Sequence, residues 1–546
     1  MKVHEMLTMW GVVAALALLG GAASACSPSQ DQIPPEEAAF IFAQRADATT
    51  LDPSDSYDQQ SIRVCRQLYN GLVRFKPGET SVEPDLATDW TTSDDGLVWA
   101  FNLRQDVKFH DGTPFNAEAV VYNVMRQFDP EHPEHTGTFE YWDYMFGGFK
   151  GDVNEEGNRT CIIANVEATA EYSVRFTLNR PLGPFIQDMA MFYTFMLSPT
   201  AVQEQGENYA TGPDYPAVGT GPFKFAEWVV GDHITLERND DYHGEAAKVE
   251  RAIIRIIPDN TARFQALQEG DIHGMDFPNS DDVASCEADP NCEVLLRPAN
   301  TTAFINIMTD REPWDDPNVR KALSLAIDKQ AIVDNLYGGN GEVASQFVPP
   351  AIWGHNPDIQ DYGYDPDEAR RLLQEAGVDE GFTFDFWYMP NPRPYYPEPE
   401  EIAEAIGSYW ADVGLNPQLE TEEWSTYLED RAAGKFDLWM LGWTSDNGDP
   451  DNFFCPFLCA PTPGEGNWNG EKAQETMGLL LEARALSDQA ERELLYFQAA
   501  DLMHQDVPRL FIAHGHAPIL LSVGVRGYRT HALGESAESF NTVRMD

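Results

Sequence analysis

Positive charge is scarce in this chain. Lys and Arg together number 36 against 89 Asp and Glu, which gives a formal net charge of −53 at pH 7 over 546 residues. Such a surface repels nucleic acid phosphates and anionic lipid headgroups, so nucleic acid is excluded as a partner. Because charged residues make up only 23% of the chain and form no long run of one sign, we predict a folded acidic surface of the kind suited to high salt.

Cysteine is also rare, with seven residues in the whole chain. This number is far too small for a disulfide scaffold, so any disulfides are expected to be local cross-links. Cys286 and Cys292 bracket a polar turn and are the predicted pair. No CxxC motif and no nearby pair of His residues accompany them, so the sequence predicts neither a metal site nor a cofactor.

Long apolar runs are missing beyond the N-terminus. One apolar stretch, from about Leu7 to Leu19, follows Lys2 and is followed by small residues and Cys26. This order of charge, apolar run and small residues is typical of an export signal, which we assign to residues 1–26. The mature protein is therefore expected in the periplasm.

The small residues before Cys26 resemble a bacterial lipobox, which predicts a lipid on that cysteine. The usual Leu three residues earlier is replaced by Ala23, so cleavage after Ala25 without a lipid remains the alternative. Residues 27–37 are rich in Ser, Pro and Gln and are expected to form a flexible tether. Apart from a lipid, the sequence contains no predicted membrane attachment.

Familiar catalytic motifs are missing as well. The sequence contains no GxSxG elbow, no P-loop and no HExxH, and the GTGPF segment at 219–223 lacks the context of a phosphate-binding loop. We therefore expect a protein that is not an enzyme. The alternative from another class is a secreted acidic hydrolase that uses two carboxylates, although no pair of positions indicates one.

From about residue 38 the chain alternates short strand patterns with helical patterns, which predicts a mixed α/β fold. Alternating apolar residues predict strands at 98–103 and 382–387. Asp316 and Asp365 are each followed by Pro, and a capping side chain before Pro is a typical helix start. The length suffices for about three units of roughly 150–200 residues.

Six sequence blocks occur in the order that is typical of one family. They are FNLRQDVKFHDGTPF (101–115), GTGPFKF (219–225), VRKALSLAID (319–328), VPPAIWGHNPDIQDYGYDP (348–366), MPNPRPY (389–395) and GWTSDNGDPDNFF (442–454). In these blocks the chain resembles the periplasmic solute-binding proteins of peptide ABC importers, extracellular solute-binding protein family 5, and within it the dipeptide branch. The resemblance spans nearly the whole mature chain.

The resemblance implies a two-lobed periplasmic-binding-protein fold with a hinge and an extra domain on the first lobe. The expected units are lobe I (38–74, 199–297 and 511–546), the extra domain (75–198) and lobe II (298–510). A protein of this kind captures a dipeptide by closing its lobes and delivers it to the permease subunits of an ABC importer. We expect it to act as a monomer.

A buried zwitterionic dipeptide needs a carboxylate at its ammonium end and a cation at its carboxylate end. The resemblance places Arg393 at the ligand carboxylate and Asp446 at the ligand amine. Apart from the surrounding blocks, Arg393 is typical of a surface ion pair and Asp446 of an Asx turn. The resemblance also assigns ligand contacts to Trp443, Thr444, Tyr57, Asp58 and Gln59, and pocket positions to Tyr395 and Met389.

Tyr395 and Met389 are residue types equally typical of an ordinary core. The same fold also serves haem, glutathione, 5-aminolevulinate or nickel, which remain the alternative ligands. Haem or a metal would require His or Met at the site, whereas a free dipeptide requires both Arg393 and Asp446.

Overall fold

The computed structural model describes residues 39–459 and 463–546. The predicted export signal with Cys26 and the predicted tether lie outside the described residues. The strands are β1 Ala39–Gln44, β2 Val73–Phe75, β3 Val82–Pro84, β4 Ala87–Thr92, β5 Val98–Leu103, β6 Ile163–Ala170, β7 Ser173–Leu178, β8 Phe223–Val229, β9 His233–Arg238, β10 Arg251–Ile256, β11 Gly274–Asp276, β12 Cys292–Leu296, β13 Thr301–Ile307, β14 Gly341–Val343, β15 Phe382–Trp387, β16 Leu415–Glu420, β17 Leu438–Thr444, β18 Arg509–Gly515, β19 Pro518–Ser522, β20 Val525–Arg526 and β21 Arg544–Met545.

The helices are α1 Gln59–Leu68, α2 Ala117–Phe128, α3 Glu140–Phe146, α4 Phe185–Asp188, α5 Pro199–Gln205, α6 Asn260–Glu269, α7 Ser280–Ala288, α8 Pro317–Leu325, α9 Lys329–Leu336, α10 Pro366–Glu375, α11 Pro399–Asp412, α12 Trp424–Ala432, α13 Asp451–Leu458, α14 Glu471–Ala485 and α15 Gln489–Asp506. Short 3-10 turns lie at Phe192–Thr194, Gly206–Asn208, Pro463–Glu465, Gly534–Ser536 and Phe540–Thr542. Within residues 39–459 and 463–546, no helix is both long and apolar enough to cross a membrane.

Two large sheets organise the chain. The first has seven strands in the order β12-β19-β11-β1-β10-β9-β8, and the second has six in the order β14-β18-β13-β17-β15-β16. A four-stranded sheet, β4-β5-β7-β6, comes from the stretch between β1 and β8. The fold is therefore mixed α/β and two-lobed, with an additional sheet inserted in the first lobe.

The chain crosses between the two large sheets twice, after β12 and after β18. The crossing segments are joined because the Arg297 N–H donates to the Ala517 carbonyl at 3.0 Å and the His516 ring lies 3.1 Å from the Arg297 carbonyl. The boundary expected at 510/511 falls inside β18, which pairs with β13 and β14 of the second sheet.

The central strand β1 contributes to the core of the first lobe on both of its faces. Phe40 and Phe42 point into the large first-lobe cluster, while Ile41 and Ala43 point into a smaller cluster on the opposite face. Side chains alternate along a strand, so a strand that is apolar at every position is buried on both faces. A separate cluster, which includes the fully buried Trp410, forms the core of the second lobe.

The predicted helix starts of the second lobe are confirmed. The Asp316 carboxylate accepts the Asn318 N–H at 2.8 Å ahead of α8, and the Asp365 carboxylate accepts the Glu368 N–H at 2.9 Å ahead of α10. Each cap satisfies a backbone donor that has no partner inside the helix. The apolar residues of both helices belong to the second-lobe core cluster, in which α8 packs against β18 and α10 packs against α8.

Candidate functional site

A cavity of about 420 Å³ lies against the C-terminal half of β17. Its wall combines aromatic and aliphatic surface with a few charged groups. The lining residues are Tyr395, Trp424, Leu428, Arg431, Leu441, Gly442, Trp443, Thr444, Asp446, Pro456, Phe457 and Glu465. Mostly apolar walls with a few convergent polar groups are typical of small-molecule sites.

Beyond Trp439, one edge of β17 has no pairing strand among the described residues beside this cavity. β13 pairs with β17 along its whole length, whereas β15 pairs with it only at Leu438 and Trp439. The Met440 carbonyl accepts the Tyr427 hydroxyl at 2.7 Å, and the strand beyond it borders the cavity. A Cβ at Gly442 would overlap the ring of Tyr395, so glycine lets that ring lie against the strand.

Asp446 lies two residues after the end of β17 and lines the cavity. The Asn452 side-chain oxygen accepts both the Asp446 N–H at 2.9 Å and the Trp443 indole N–H at 3.1 Å, which fixes the backbone at this point. Burial raises the pKa of Asp446 to about 6, and hydrogen bonding from Asn452 and Tyr141 opposes that shift. Within the described residues the carboxylate has no ion-pair partner, so a ligand cation would stabilise it.

The loop after Asp446 is held by buried polar contacts. The Asn447 amide donates to the Asp188 carboxylate at 2.7 Å, which joins the loop to the segment that carries the four-stranded sheet. The Asp449 carboxylate accepts two hydrogen bonds from Arg492, at 2.7 and 2.8 Å. Gly448 has a φ of +65° and a Cβ there would collide with Thr80, so this turn requires glycine.

Arg393 lies next to the same cavity. Its backbone forms a narrow bridge with Tyr396, with reciprocal N–H to carbonyl distances of 2.9 and 3.0 Å. Its guanidinium carbon lies 4.8 Å from the centre of the Trp424 ring, and Trp424 lines the cavity. In the part of the chain that the structure describes, Arg393 has no carboxylate partner, and its buried Nε has no hydrogen-bond partner.

The structure brings together some of the predicted site residues but not all. Tyr395, Trp443, Thr444 and Asp446 line the cavity and Arg393 stacks on its wall, whereas Met389 is fully buried in the second-lobe core.

The early segment is placed differently. Tyr57 is 60% exposed and Gln59 is exposed. Asp58 caps α1, because its carboxylate accepts the Ser61 N–H at 2.8 Å and the Thr49 hydroxyl at 2.6 Å. Among the described residues that line the cavity, these three are not included.

Four residues at or beside the site were not predicted from the sequence: Trp424, Arg431, Glu465 and Tyr141. Trp424, Arg431 and Glu465 line the cavity, and Tyr141 lowers the pKa of Asp446 against the effect of burial. The sequence offered one signal, and it concerned Trp424: this aromatic residue follows two Glu residues and begins a helix. Asn452 lies within the GWTSDNGDPDNFF block but was not singled out.

The structure joins Cys286 to Cys292, with Cα atoms 5.2 Å apart, and also Cys455 to Cys459. The second disulfide closes the C-terminal turn of α13, a helix that lines the cavity. Across residues 39–459 and 463–546, no group of three or more His, Cys, Asp and Glu side chains is arranged to hold a metal ion.

Comparison with known proteins gives consistent matches. Residues 81–464 match the family described as bacterial extracellular solute-binding proteins, family 5 middle. The chain is 36% identical over 493 residues to the dipeptide-binding protein of Escherichia coli K12, covering 88% of this chain and 89% of the relative. It is 37% identical over 486 residues to heme-binding protein A of Haemophilus influenzae, covering 86% of each chain.

A solved structure, HbpA2 from Haemophilus parasuis, superposes with a TM-score of 0.85 at 34% identity, covering 93% of this chain and 100% of that one. The two large sheets joined by two crossing segments agree with this match. The family match covers most of the chain, and the resemblance drawn from the sequence blocks is confirmed. The chain therefore belongs to the bacterial extracellular solute-binding proteins of family 5.

Proposed function

We propose that the protein is the substrate-binding component of an ABC importer that captures dipeptides in the periplasm and delivers them to the membrane permease. One observation carries this proposal. Asp446 lines a cavity whose wall includes Trp424, the guanidinium of Arg393 lies over the Trp424 ring, and neither charged group has an ion-pair partner within the described residues. A zwitterionic ligand would satisfy both groups, and unpaired buried charges are costly.

The open edge of β17 supports a peptide over other zwitterions. An extended dipeptide would hydrogen-bond to this edge as an added strand, through its main chain and without regard to its side chains. Arg393 offers a planar fork that matches the terminal carboxylate. The dipeptide-binding protein of Escherichia coli is similar over most of this chain. In this proposal the protein carries dipeptides without cleaving them, acts as a monomer, and is anchored only by a lipid on Cys26.

Both ligand termini are expected to be essential. We expect calorimetry to show at least about hundredfold weaker binding of N-acetylated Ala-Ala and of Ala-Ala amide than of free Ala-Ala, because each blocked end leaves one protein charge unpaired. Mass spectrometry of the recovered peptide should show it intact. Equal affinity for the free and N-acetylated peptides would contradict the assignment of Asp446.

Haem is the alternative ligand, because heme-binding protein A of Haemophilus influenzae is similar to this chain. Of the side chains that hold haem iron, the described residues that line the cavity include Tyr395 but no His, Cys or Met. This favours the dipeptide. Titration with haemin, followed by its visible absorption, distinguishes the two ligands, since a stoichiometric shift that free dipeptide competes away would favour haem.

Dipeptide affinity is expected to depend on pH through Asp446. Its pKa of about 6 in the free protein is lowered when a ligand ammonium lies beside it, so binding favours the ionised carboxylate. Dipeptide affinity should therefore be near its maximum at pH 7, where most of the Asp446 carboxyl is ionised. At pH 5, where most of it is protonated, the affinity should be about tenfold weaker than at pH 7. Calorimetry between pH 5 and 7 measures this, a window in which the peptide amine stays charged.

Two variants test whether Asp446 causes this pH dependence of dipeptide affinity. Asp446→Asn should remove it together with most of the affinity. Asp451→Asn should keep it, because Asp451, whose pKa burial also raises to about 6, lies outside the described cavity lining. A dissociation constant for the parent protein that does not change from pH 5 to 7 would be inconsistent with Asp446 as the amine-binding group.

A further inference from the structure

The floor of the cavity contains a charge cluster that a dipeptide's termini do not use. Arg431 Nη1 donates to Glu465 Oε1 at 2.8 Å, and Arg509 Nη2 lies 3.6 Å from Glu465 Oε2. Arg509 Nη2 also donates to the Glu465 carbonyl at 3.1 Å. One carboxylate therefore faces two guanidinium groups, and the cluster has a net charge of +1.

This cluster is removed from water. The exposed fraction of the side chain is 8% for Glu465 and 2% for Arg509, while Arg431 keeps 19% and lines the cavity. Burial lowers the pKa of Arg509 to about 10, and the charge of Arg431 adds to that shift. Arg431 Nε and Arg509 Nη1 are buried without a hydrogen-bond acceptor in the described part of the chain. Glu465 Oε2 is likewise buried without a hydrogen-bond donor among the described residues, so the cluster has two unused donors for one unused acceptor, in addition to its net charge of +1.

Aromatic rings cover the far side of the cluster. The Arg509 guanidinium lies 4.9 to 5.3 Å from the ring centres of Phe304, Phe347 and Phe457. The face of an aromatic ring stabilises a cation less than a carboxylate does. Arg431 and Glu465 line the cavity whereas Arg509 does not, so Arg431 is the cation of the cluster that an anion in the cavity would contact.

The cluster lies at the end of the cavity where the ligand carboxylate is expected. Trp424 lines the cavity on the same helix as Arg431 and carries the guanidinium of Arg393. Tyr395, two residues after Arg393, lines the cavity together with Arg431, and both arginines lower the pKa of its hydroxyl against the effect of burial. The ligand side chain nearest Arg431 is therefore the one next to the terminal carboxylate.

We propose that this cluster receives the side chain of the second ligand residue and selects a carboxylate there, so that the preferred substrates are dipeptides that end in Asp or Glu. This inference rests on the proposed dipeptide function. A second-residue carboxylate would accept from Arg431 and balance the charge of the cluster. A lysine ammonium would meet a net positive charge, and a carboxamide would gain the hydrogen bond without the charge.

The test compares four dipeptides of similar side-chain length on the parent protein by calorimetry: Ala-Glu, Ala-Gln, Ala-Met and Ala-Lys. We expect Ala-Glu to bind at least about tenfold more tightly than Ala-Lys, with Ala-Gln between them, as for a charge-assisted hydrogen bond. Affinities of Ala-Glu and Ala-Lys within threefold of each other, or tighter binding of Ala-Lys, would overturn the inference. If none of the four binds, the proposed function itself fails.

A variant series assigns the preference to Arg431. In Arg431→Gln the ratio of Ala-Glu affinity to Ala-Lys affinity should fall at least fivefold. The matched control is Arg175→Gln, since Arg175 is exposed and pairs with Glu167 on the four-stranded sheet, and it should keep the parent ratio. If Arg431→Gln folds and keeps the parent ratio of Ala-Glu to Ala-Lys affinity, the assignment of the preference to Arg431 is overturned. If this variant does not fold, the four-dipeptide comparison on the parent protein decides the inference.

Discussion

Replacing Asp446 by alanine is expected to lower the affinity for a free dipeptide by several hundredfold. The ligand ammonium would still be removed from water on binding but would find no carboxylate, a loss on the order of 3–5 kcal/mol. Arg393→Ala should have an effect of similar size at the other ligand terminus. Arg393→Lys should recover only part of it, because an ammonium is a point charge where the guanidinium is a fork.

The matched controls are Asp385→Ala and Arg370→Ala, which remove exposed groups of the second lobe and should bind like the parent protein. Calorimetry with Ala-Ala measures affinity, and thermal unfolding shows that each variant is folded. The melting temperatures of the two site variants should stay close to that of the parent, since neither charge has an ion-pair partner among the described residues. Binding within threefold of the parent would remove that residue from the site.

Replacing Arg492 by methionine is expected to destabilise the protein by about 3–5 kcal/mol, because a buried charge is left unpaired. Asp449 has no exposed surface, and its carboxylate depends on two hydrogen bonds from Arg492. The loop that carries Asp446 is built on this pair, so dipeptide binding should weaken as well. Denaturant unfolding measures the free energy of unfolding.

The control for Arg492 is Arg371→Met, which removes an exposed arginine that pairs with Glu368 and Glu375 on α10. Exposed ion pairs of this kind contribute about 0–1 kcal/mol. A second variant, Arg492→Met with Asp449→Asn, should recover much of the lost stability by removing the unpaired charge. Equal unfolding free energies of Arg492→Met and Arg371→Met would show that the buried pair contributes little.

Local patterns predicted much of the fold. A strand at 98–103, a strand at 382–387 and the helix starts at Asp316 and Asp365 are found at those positions. Each depends on side-chain alternation or on a cap within a few residues, so the necessary information lies within one segment. The expected edge of the second lobe at 510 fell inside β18, because strand pairing joins distant segments.

The candidate site was likewise predicted from the sequence only in part. Arg393 and Asp446 follow from the blocks that surround them, whereas Met389 belongs to the core and Asp58 caps a helix. The pairing of Cys455 with Cys459 was not predicted. Their separation of four residues places both on one face of a helix, but only if a helix forms there.

By itself, the sequence determined the acidic surface, the α/β class, the family blocks and the two oppositely charged groups expected at the ligand termini. Only the tertiary structure decided which other charged groups share the cavity with them. Arg431, Glu465 and Arg509 come from a helix, a turn and a strand that are distant in the chain, and their net charge acts on a ligand only because folding removes them from water together. Composition and spacing describe neighbours along the chain, whereas charge balance in a buried cavity depends on neighbours in space.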